Sequence, residues 1–332
     1  MSDRFALPDL SCERRGFLRS LCMGASLAAL GSGPLLAGCA TDAGPIPYSS
    51  ARRGPRFAVP ADACDSHIHI LDPRFPARPG WPGSPVGEAT VAAYRRFQDR
   101  IGTRRTVIVT PSTYGTDNRA TLDALRQMGA QARGVAVIDC NAPPPRAELA
   151  AMAQAGICGL RVNFVSPQIW GRTDTARLHA TARLAQEMGW HIQIFARASQ
   201  IAAMEADLAA LPVPLVIDHL GFVTPQEPGT PEGHGAVLRL LGTRRTWVKL
   251  SGAYIASGEG APDYADLAPI AQAYVAQAPD RLVWGSDWPH RGHENDLPDD
   301  ARLLDLLDRW AGDARTRDAI LVRNPAQLYG FS

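Results

Sequence analysis

Eight short apolar runs, each followed by a stretch of helical pattern, recur along residues 62–332 and constrain the fold more than any other feature of the chain. The runs are ACDSHIHI, RTVIVTP, GVAVID, GLRVNF, HIQIFA, PLVIDHLG, TWVKLSG and LVWGSDWP. The stretches between them, such as TARLHATARLAQEMG, carry apolar residues at helical spacing and end in polar or glycine residues that suit helix caps. Eightfold alternation of strand and helix is typical of an α/β fold of the (β/α)₈ TIM-barrel type. A doubly wound sheet is the competing architecture, but the glycine-rich first turn that it normally carries is missing from the sequence.

The charge of the chain is balanced. The 34 Lys and Arg residues face 33 Asp and Glu residues, which leaves a formal net charge of +1. A nucleic-acid partner is therefore not expected, since such partners require a strongly basic surface. An apolar content of 45% and a charged content of 20% are typical of a globular protein.

The first 39 residues differ in character from the rest. Arg14 and Arg15 are followed by Gly-Phe-Leu and by a weakly hydrophobic stretch of Leu, Ala, Gly and Ser. This pattern resembles a twin-arginine export signal, and the apolar stretch is too short and too rich in Gly and Ser for a stable membrane-spanning helix. The alternative is an N-terminal helix that stays with the protein.

The segment ends in Leu-Ala-Gly-Cys at residues 36–39, which resembles the lipobox of a bacterial lipoprotein. We therefore expect Cys39 to be acylated and to anchor the chain to a membrane surface. The alternative is cleavage nearby and release into the periplasm. The predicted organisation is a signal with lipobox over 1–39, a flexible linker over 40–60 and a barrel domain over 61–332. It implies the twin-arginine export machinery as a partner, membrane contact only through the lipid, and a periplasmic location in a Gram-negative bacterium.

Catalytic groups of such barrels lie at the carboxyl ends of the strands. The polar residues at those positions are His67 and His69 in the first run, Ser112 and Tyr114 after the second, Arg161 and Asn163 in the fourth, His219 after the sixth, Tyr254 after the seventh, and Asp287 with His290 after the eighth. His191 begins the fifth run, at the opposite and stability-determining end, so it is not a site candidate. Lys249 lies within the seventh run and is predicted to form a salt bridge rather than a Schiff base.

His67 and His69 are two residues apart, so their side chains share one face of a strand. Together with His219 and Asp287 they form a set that can bind a divalent metal or position a water molecule. Without metal, Asp287 can take a proton from water while the histidines hold the water or polarise a carbonyl.

The motifs DSHIHILDPRFP, YGTDN, GLRVNF, VIDHLG, VKLSG, WGSDWPH and NPAQLYGF, taken in order, resemble the amidohydrolase superfamily. Within it they are similar to the branch of 2-pyrone-4,6-dicarboxylate lactonase and the sugar-acid lactonases. The resemblance implies hydrolysis at an ester or lactone carbonyl. It implies that Asp287 activates the water and that His67, His69 and His219 hold the water and polarise the carbonyl. It also implies that Arg161 binds a substrate carboxylate, for which its planar guanidinium is suited; a structural ion pair is the alternative. Ser112, Tyr114, Tyr254 and His290 are predicted to contact the substrate.

The chain departs from the superfamily pattern in two places. A full metal site has a lysine on the fourth strand or a histidine at the end of the fifth, where this chain has Arg161 and Phe195. The resemblance therefore implies no obligatory cofactor and an optional single divalent ion such as zinc, held by His67, His69 and Asp287. A dicarboxylate lactonase would also carry arginines near Val165 and Tyr254, and Arg172 or Arg197 are the residues that could replace them.

The sequence thus predicts an exported hydrolase that opens a lactone or a related small carboxylate-bearing ester. A metal-dependent decarboxylase or a lactone isomerase on the same barrel is the alternative reaction. A non-catalytic binding protein is the alternative class, and it predicts that Asp287→Asn leaves ligand binding intact.

Overall fold

The computed structural model describes residues 44–83 and 86–332. Eight strands form one sheet in chain order, and each neighbouring pair from the first to the eighth is parallel. The strands are β1 (Cys64–Ile68), β2 (Arg105–Val109), β3 (Ala132–Ala136), β4 (Ile157–Asn163), β5 (His191–Phe195), β6 (Leu215–Ile217), β7 (Thr246–Leu250) and β8 (Leu282–Trp284). Each overlaps one of the eight predicted runs, with β3 and β4 beginning two residues before theirs, so the barrel prediction is confirmed.

Helices follow the strands as predicted. They are α1 (Val91–Ile101), α2 (Arg119–Met128), α3 (Arg146–Gln154), α4 (Thr175–Met188), α5 (Ala198–Ala203), α6 (Glu205–Ala209), α7 (Thr230–Gly242), α8 (Ala253–Ala256), α9 (Ala268–Gln277), α10 (Asp300–Ala311), α11 (Ala314–Asp318) and α12 (Asn324–Tyr329). Several begin at a side-chain cap; Asp174, for example, accepts a hydrogen bond from the amide of Arg177 at the start of α4. None of the helices in the described ranges has the length and hydropathy that a membrane-spanning helix needs.

The last strand meets the first through backbone hydrogen bonds at their carboxyl ends. The amide of Asp287 donates to the carbonyl of His67 at 2.9 Å, and the amide of His69 donates to the carbonyl of Trp288 at 2.8 Å. Ile68 and Trp288 form a parallel bridge at the same place. The contact that nearly closes the barrel therefore also places Asp287 beside the two histidines of β1.

The predicted flexible linker, residues 40–60, is described from residue 44 onward, and there it lies on the barrel. It forms no helix or strand from 44 to 60, but Ile46 and Ala51 are buried in the hydrophobic core. The indole nitrogen of Trp288 donates to the carbonyl of Pro47 at 2.9 Å. The prediction of a flexible tether is therefore wrong for 44–60, because its apolar side chains have a core to pack against. The predicted signal and Cys39 lie outside the described residues.

The amino end of the barrel is filled by the C-terminal segment. Tyr329 and Phe331 pack against buried residues of the strands, including Val107 and Val216. The ring of His191 lies 5.6 Å from the ring of Tyr329. His191 is therefore part of the barrel floor, as its position at the start of β5 predicts.

Candidate active site

The first strand brings two histidines to one point at the carboxyl end of the barrel. The rings of His67 and His69 lie edge to face, with centroids 5.0 Å apart. Their Nε2 atoms lie 3.6 Å and 3.5 Å from Oδ1 of Asp287. Nδ1 of His69 lies 2.8 Å from the carbonyl oxygen of Val109. A neutral imidazole that donates to this carbonyl keeps Nε2 as a hydrogen-bond acceptor.

The loop after β8 holds Asp287 in a fixed orientation. Its backbone is left-handed, with φ 64°, and its Oδ2 accepts a hydrogen bond from the hydroxyl of Tyr254 at 2.6 Å. The preceding residue, Ser286, donates from its hydroxyl and its amide to the carboxylate of Asp65 at 2.6 and 2.9 Å. These contacts fix the Oδ2 side of the carboxylate and leave Oδ1 facing the histidines.

His219 supplies the third imidazole. Its Nε2 lies 3.9 Å from Oδ1 of Asp287, and its Nδ1 lies 2.9 Å from the hydroxyl oxygen of Ser251. Gly252 packs directly against the ring, since a Cβ on this residue would lie 2.9 Å from Nδ1 of His219. The φ of Gly252 is +66°, so the position favours glycine both for its backbone and for the space beside the ring.

Burial sets the protonation states of these groups. Desolvation lowers the pKa of His69 to about 4 and the pKa of His67 well below its ordinary value. Burial also opposes the charge of Asp287. The neighbouring histidines, His219 first, and the Tyr254 hydroxyl outweigh that effect and hold the pKa of Asp287 below its usual range. Near neutral pH the site thus combines an ionised carboxylate with neutral imidazoles at His67 and His69.

A buried ion pair orients His67 from its other side. Asp218 and Lys249 are both fully buried, and Nζ of Lys249 lies 3.4 Å from Oδ1 of Asp218. Lys249 lies 3.2 Å from Nδ1 of His67 and donates to Oε1 of Gln193 at 2.8 Å. Oδ1 of Asp218 lies 3.2 Å from the same Nδ1. The predicted salt bridge of Lys249 is confirmed.

Asp218 and Gln193 were not predicted from the sequence. The available signal for Asp218 was its place immediately before His219 in the VIDHLG run. A carboxylate beside a histidine at a strand end often orients an imidazole.

The donor set fits one divalent ion. His67, His69 and Asp287 each offer one ligand atom, and these atoms lie within 4.8 Å of one another. Nε2 of His67 is buried and has no hydrogen-bond partner in the described part of the chain. His67, Asp218 and His219 form a second such group, but it shares His67 with the first. Imidazole nitrogen and carboxylate oxygen are ligands that zinc uses in proteins.

A cavity of about 540 Å³ opens onto this cluster, a volume that suits a small-molecule substrate. His69, His219 and Asp287 line it together with the predicted contact residues Arg161, Ser112 and Tyr254. Arg161 is only 7% exposed, and its Nε lies 3.7 Å from Oδ2 of Asp218. The position of Arg161 fits both predicted roles. It lies near the Asp218 carboxylate, as a structural ion pair requires, and it lines the cavity, as a contact with a substrate carboxylate requires. Arg197 lines the cavity as well, whereas Arg172 is not among the lining residues in the described part of the chain.

The structure corrects two predicted substrate contacts. Tyr114 is 2% exposed, and its hydroxyl accepts a hydrogen bond from the amide of Asp72 at 2.9 Å. His290 is fully buried, and its Nε2 lies 3.1 Å from the carboxylate of Asp300. Neither residue lines the cavity. Both follow a strand end as predicted, but each side chain packs into the surrounding loops.

The chain is similar to a known protein family and to several characterised proteins. A family model described as Amidohydrolase matches residues 64–331. A 2-pyrone-4,6-dicarbaxylate hydrolase of Comamonas testosteroni is 32% identical over 286 residues, which cover 83% of this chain and 92% of the relative. A 4-sulfomuconolactone hydrolase of Rhizobium radiobacter is 34% identical over 279 residues, covering 82% and 92%.

Two further similarities extend the comparison. A D-galactarolactone isomerase of Agrobacterium fabrum is 31% identical over 282 residues, which cover 84% of this chain and 94% of the relative. The crystal structure of an Agrobacterium tumefaciens protein in its apo form superposes with a TM-score of 0.75 and 29% identity. That match covers 85% of this chain and 98% of the other.

Proposed function

The chain belongs to the amidohydrolase family, and from this premise we propose that it opens a lactone, or a related small carboxylate-bearing ester, by hydrolysis. The names of its relatives, hydrolases and an isomerase of lactones among them, support a lactone-acting enzyme. The observation that carries the proposal is the arrangement around Asp287. Its Oδ1 lies 3.5, 3.6 and 3.9 Å from the Nε2 atoms of three histidines, and two of these, His69 and His219, line a cavity of substrate size together with Asp287.

In the proposed first step, Asp287 is the general base. Its ionised Oδ1 takes a proton from a water molecule, and the water oxygen attacks the lactone carbonyl carbon. His69 holds the water through Nε2, which accepts a hydrogen bond because Nδ1 donates to the carbonyl of Val109. His219 polarises the carbonyl by donating from Nε2 while its Nδ1 accepts from the Ser251 hydroxyl. The negative charge of the tetrahedral intermediate is then stabilised by a donor already in place.

In the second step the ring opens. The bond between the carbonyl carbon and the ring oxygen breaks, and the ring oxygen takes the proton that Asp287 had removed from water. The product is a hydroxy acid, and Asp287 returns to its ionised form. Tyr254 stays bound to Oδ2, so the carboxylate keeps its orientation while Oδ1 exchanges the proton. Arg161 binds the substrate carboxylate at the side of the cavity.

We propose that a metal ion is optional for this reaction. His67, His69 and Asp287 would hold one divalent ion such as Zn²⁺, which supplies Lewis acidity when bound. The ionised carboxylate of Asp287 and the neutral imidazoles already give the chain a base and hydrogen-bonding groups of its own. Dialysis against a chelator should therefore leave most of the lactonase activity, with residual metal measured by mass spectrometry. Loss of activity that added Zn²⁺ restores would contradict this.

The reaction itself is tested with a panel of carboxylated lactones in H₂¹⁸O. Attack of water on the carbonyl carbon places one ¹⁸O atom in the new carboxylate, which mass spectrometry of the product detects. We expect this incorporation with the wild-type protein and not in a parallel sample without enzyme. If no lactone in the panel is opened, the proposal is wrong.

A lactone isomerase is the second candidate, because the D-galactarolactone isomerase is similar over most of this chain. Isomerisation moves the ester bond to another hydroxyl of the same molecule and takes up no water. The same ¹⁸O experiment therefore separates the two reactions, since an isomerised lactone carries no label. A rearranged, unlabelled product would favour the isomerase.

We also propose that the chain is exported and lipid-anchored, which Arg14, Arg15 and the Leu-Ala-Gly-Cys39 sequence support. Replacing both arginines by lysine should keep the protein in the cytoplasm of the producing bacterium. Cys39→Ser should instead abolish incorporation of labelled palmitate into the protein. Immunoblots of cell fractions measure the first outcome, and palmitate labelling measures the second. Export of the double lysine variant would contradict the twin-arginine assignment, and palmitate incorporation into Cys39→Ser would contradict acylation of Cys39.

A further inference from the structure

The three arginines that line the cavity differ in whether each has a carboxylate of its own beside it. Arg197 lies 3.6 Å from the carboxylate of Glu227, and Arg291 lies 2.9 Å from that of Glu294, so each of these arginines has a carboxylate at its side. Arg161 instead lies near Asp218, whose carboxylate also faces Lys249 at 3.4 Å.

Arg161 and Lys249 thus share one carboxylate, that of Asp218. Arg161 is 7% exposed, and its Nε has no hydrogen-bond partner among the residues that the structure describes. That nitrogen faces Asp218, but Arg161 also lines the cavity, where a guanidinium is a strong site for one carboxylate. A second carboxylate would have to compete with Glu227 or Glu294 for its arginine.

An apolar wall begins directly beside Arg161. The ring of Phe195 lies 5.6 Å from the guanidinium carbon of Arg161 and stacks on Phe222, with ring centroids 5.5 Å apart. Val165 and Ile255 are further apolar residues of the lining. An apolar substituent would gain free energy by leaving water for this wall. The guanidinium of Arg197 lies 4.9 Å from the ring of Phe222, but Glu227 already lies beside it, so a charged substituent there would have to compete with that carboxylate.

One polar residue of the lining, Asn163, is occupied by contacts with neighbouring loops. Oδ1 of Asn163 accepts from the amides of Val165 and Ser166 at 2.9 and 3.0 Å. Nδ2 of Asn163 donates to the hydroxyl oxygen of Ser112 at 3.1 Å. Ser112 therefore keeps its hydroxyl proton for a ligand, but Asn163 has little capacity left. The apolar side chains of Phe195, Phe222 and Ile255 cannot hydrogen-bond the hydroxyl groups of a polyhydroxylated substrate.

We propose that the cavity takes a lactone with a single carboxylate and an apolar alkyl or aryl substituent. The carboxylate lies against Arg161, and the substituent lies against Phe195, Phe222 and Ile255. This inference rests on the proposed lactone hydrolysis and narrows it to one class of substrate.

Three lactones of equal ring size test the proposal. All carry one carboxylate at the same position; the first adds a phenyl or alkyl group, the second adds a further carboxylate and the third adds hydroxyl groups. We expect the wild-type kcat/KM for the first to exceed those for the other two by at least about tenfold, a difference of about 1.4 kcal/mol in binding the transition state. Equal or higher values for the dicarboxylate or the hydroxylated lactone would overturn the proposal and leave lactone hydrolysis standing. If all three stay closed, both the proposal and the proposed function are wrong.

A substitution reverses the preference. Ile255→Arg places a cation in the apolar wall, so kcat/KM should rise for the dicarboxylate and fall for the apolar lactone. Ile169→Arg is the matched control, because Ile169 is 48% exposed and is not among the lining residues. Val165→Arg serves as the second variant if Ile255→Arg does not fold. An unchanged order of the three lactones in a folded wall variant would count against the apolar wall as the substituent site.

Discussion

His67, His69 and His219 present their Nε2 atoms to the same oxygen of Asp287, within 3.9 Å of it. At the scale of single residues, the proposed chemistry depends on these groups keeping different protonation states. A protonated imidazole cannot accept a hydrogen bond from water, and a protonated carboxyl cannot act as the base. Burial keeps His69 neutral, and Asp287 stays ionised beside His219, the neighbour that lowers its pKa most.

The pH profile of the reaction follows from these states. Because burial lowers the pKa of His69 to about 4, this ring loses its acceptor only in strong acid. We expect kcat/KM to hold as the pH falls from 7 to about 5 and to drop about tenfold per pH unit below about 4. Initial rates measured immediately after a pH jump give this profile before unfolding intervenes. An acidic midpoint near 6.5, the ordinary value for histidine, would contradict the account.

The role of Arg161 in binding the substrate carboxylate can be tested separately from its role in the surrounding structure. Arg161→Met keeps the length of the side chain but removes the guanidinium. We expect KM for a carboxylated lactone to rise about 10- to 100-fold, since a bidentate charged contact is lost, while the methyl ester of the same lactone changes little. Arg172→Met is the matched control, because Arg172 is exposed and is not among the residues that line the cavity. Equal effects on acid and ester would show that Arg161 acts only through the structure around it.

At the scale of elements, the residues after each strand decide where side chains lie. Eight runs predict eight strands because each has enough apolar residues to be buried by itself, and parallel pairing brings all carboxyl ends to one rim. That is why Asp287 and His219 could be placed near His67 from the sequence. The direction in which the loop side chains point could not be predicted from the sequence. His290 has a left-handed backbone with φ 62°, and its side chain pairs with Asp300 outside the cavity.

A substitution at Gly252, which follows β7, tests how precisely the loop must position the ring of His219. Gly252→Ala puts a methyl group 2.9 Å from Nδ1 of His219, so the ring must move. We expect kcat to fall at least about tenfold, because small displacements of reacting groups are costly, together with a loss of about 1–3 kcal/mol of stability from the left-handed backbone. Gly260→Ala is the matched control. Its φ is +73°, and nothing described lies within 4 Å of the added methyl group, so it should lose stability but keep kcat.

At the scale of the whole molecule, the chain after residue 44 packs on the barrel and the C-terminal segment fills its floor. A sequence pattern could not predict either contact, because the partner surfaces, such as Trp288 for Pro47, come from distant parts of the chain. The same holds for the buried ion pair of Asp218 and Lys249, because burial of either charge is tolerated only when the opposite charge lies beside it.

Stability at low pH tests the barrel floor. Burial lowers the pKa of His191 from 6.5 to about 3, so between these values the unfolded chain binds a proton that the folded chain does not. The stability that His191 contributes is therefore complete above pH 6.5 and is lost as the pH falls towards 3, by about 2–3 kcal/mol between pH 7 and pH 4.5. His191→Asn removes this titration. Urea unfolding at both pH values should show a smaller loss for His191→Asn than for the wild type, and equal losses would contradict the assignment.

The central claim is that Asp287 activates the attacking water. The most direct measurement is kcat/KM for a carboxylated lactone with Asp287→Asn, which keeps the shape of the side chain and removes the base. The matched control is Asp139→Asn, a carboxylate paired with Arg177 away from the cavity. We predict that Asp287→Asn lowers kcat/KM by about 10²- to 10⁴-fold, while Asp139→Asn stays close to the wild type and both variants give a wild-type circular dichroism spectrum. A folded Asp287→Asn protein that opens the lactone at the wild-type rate would contradict the account.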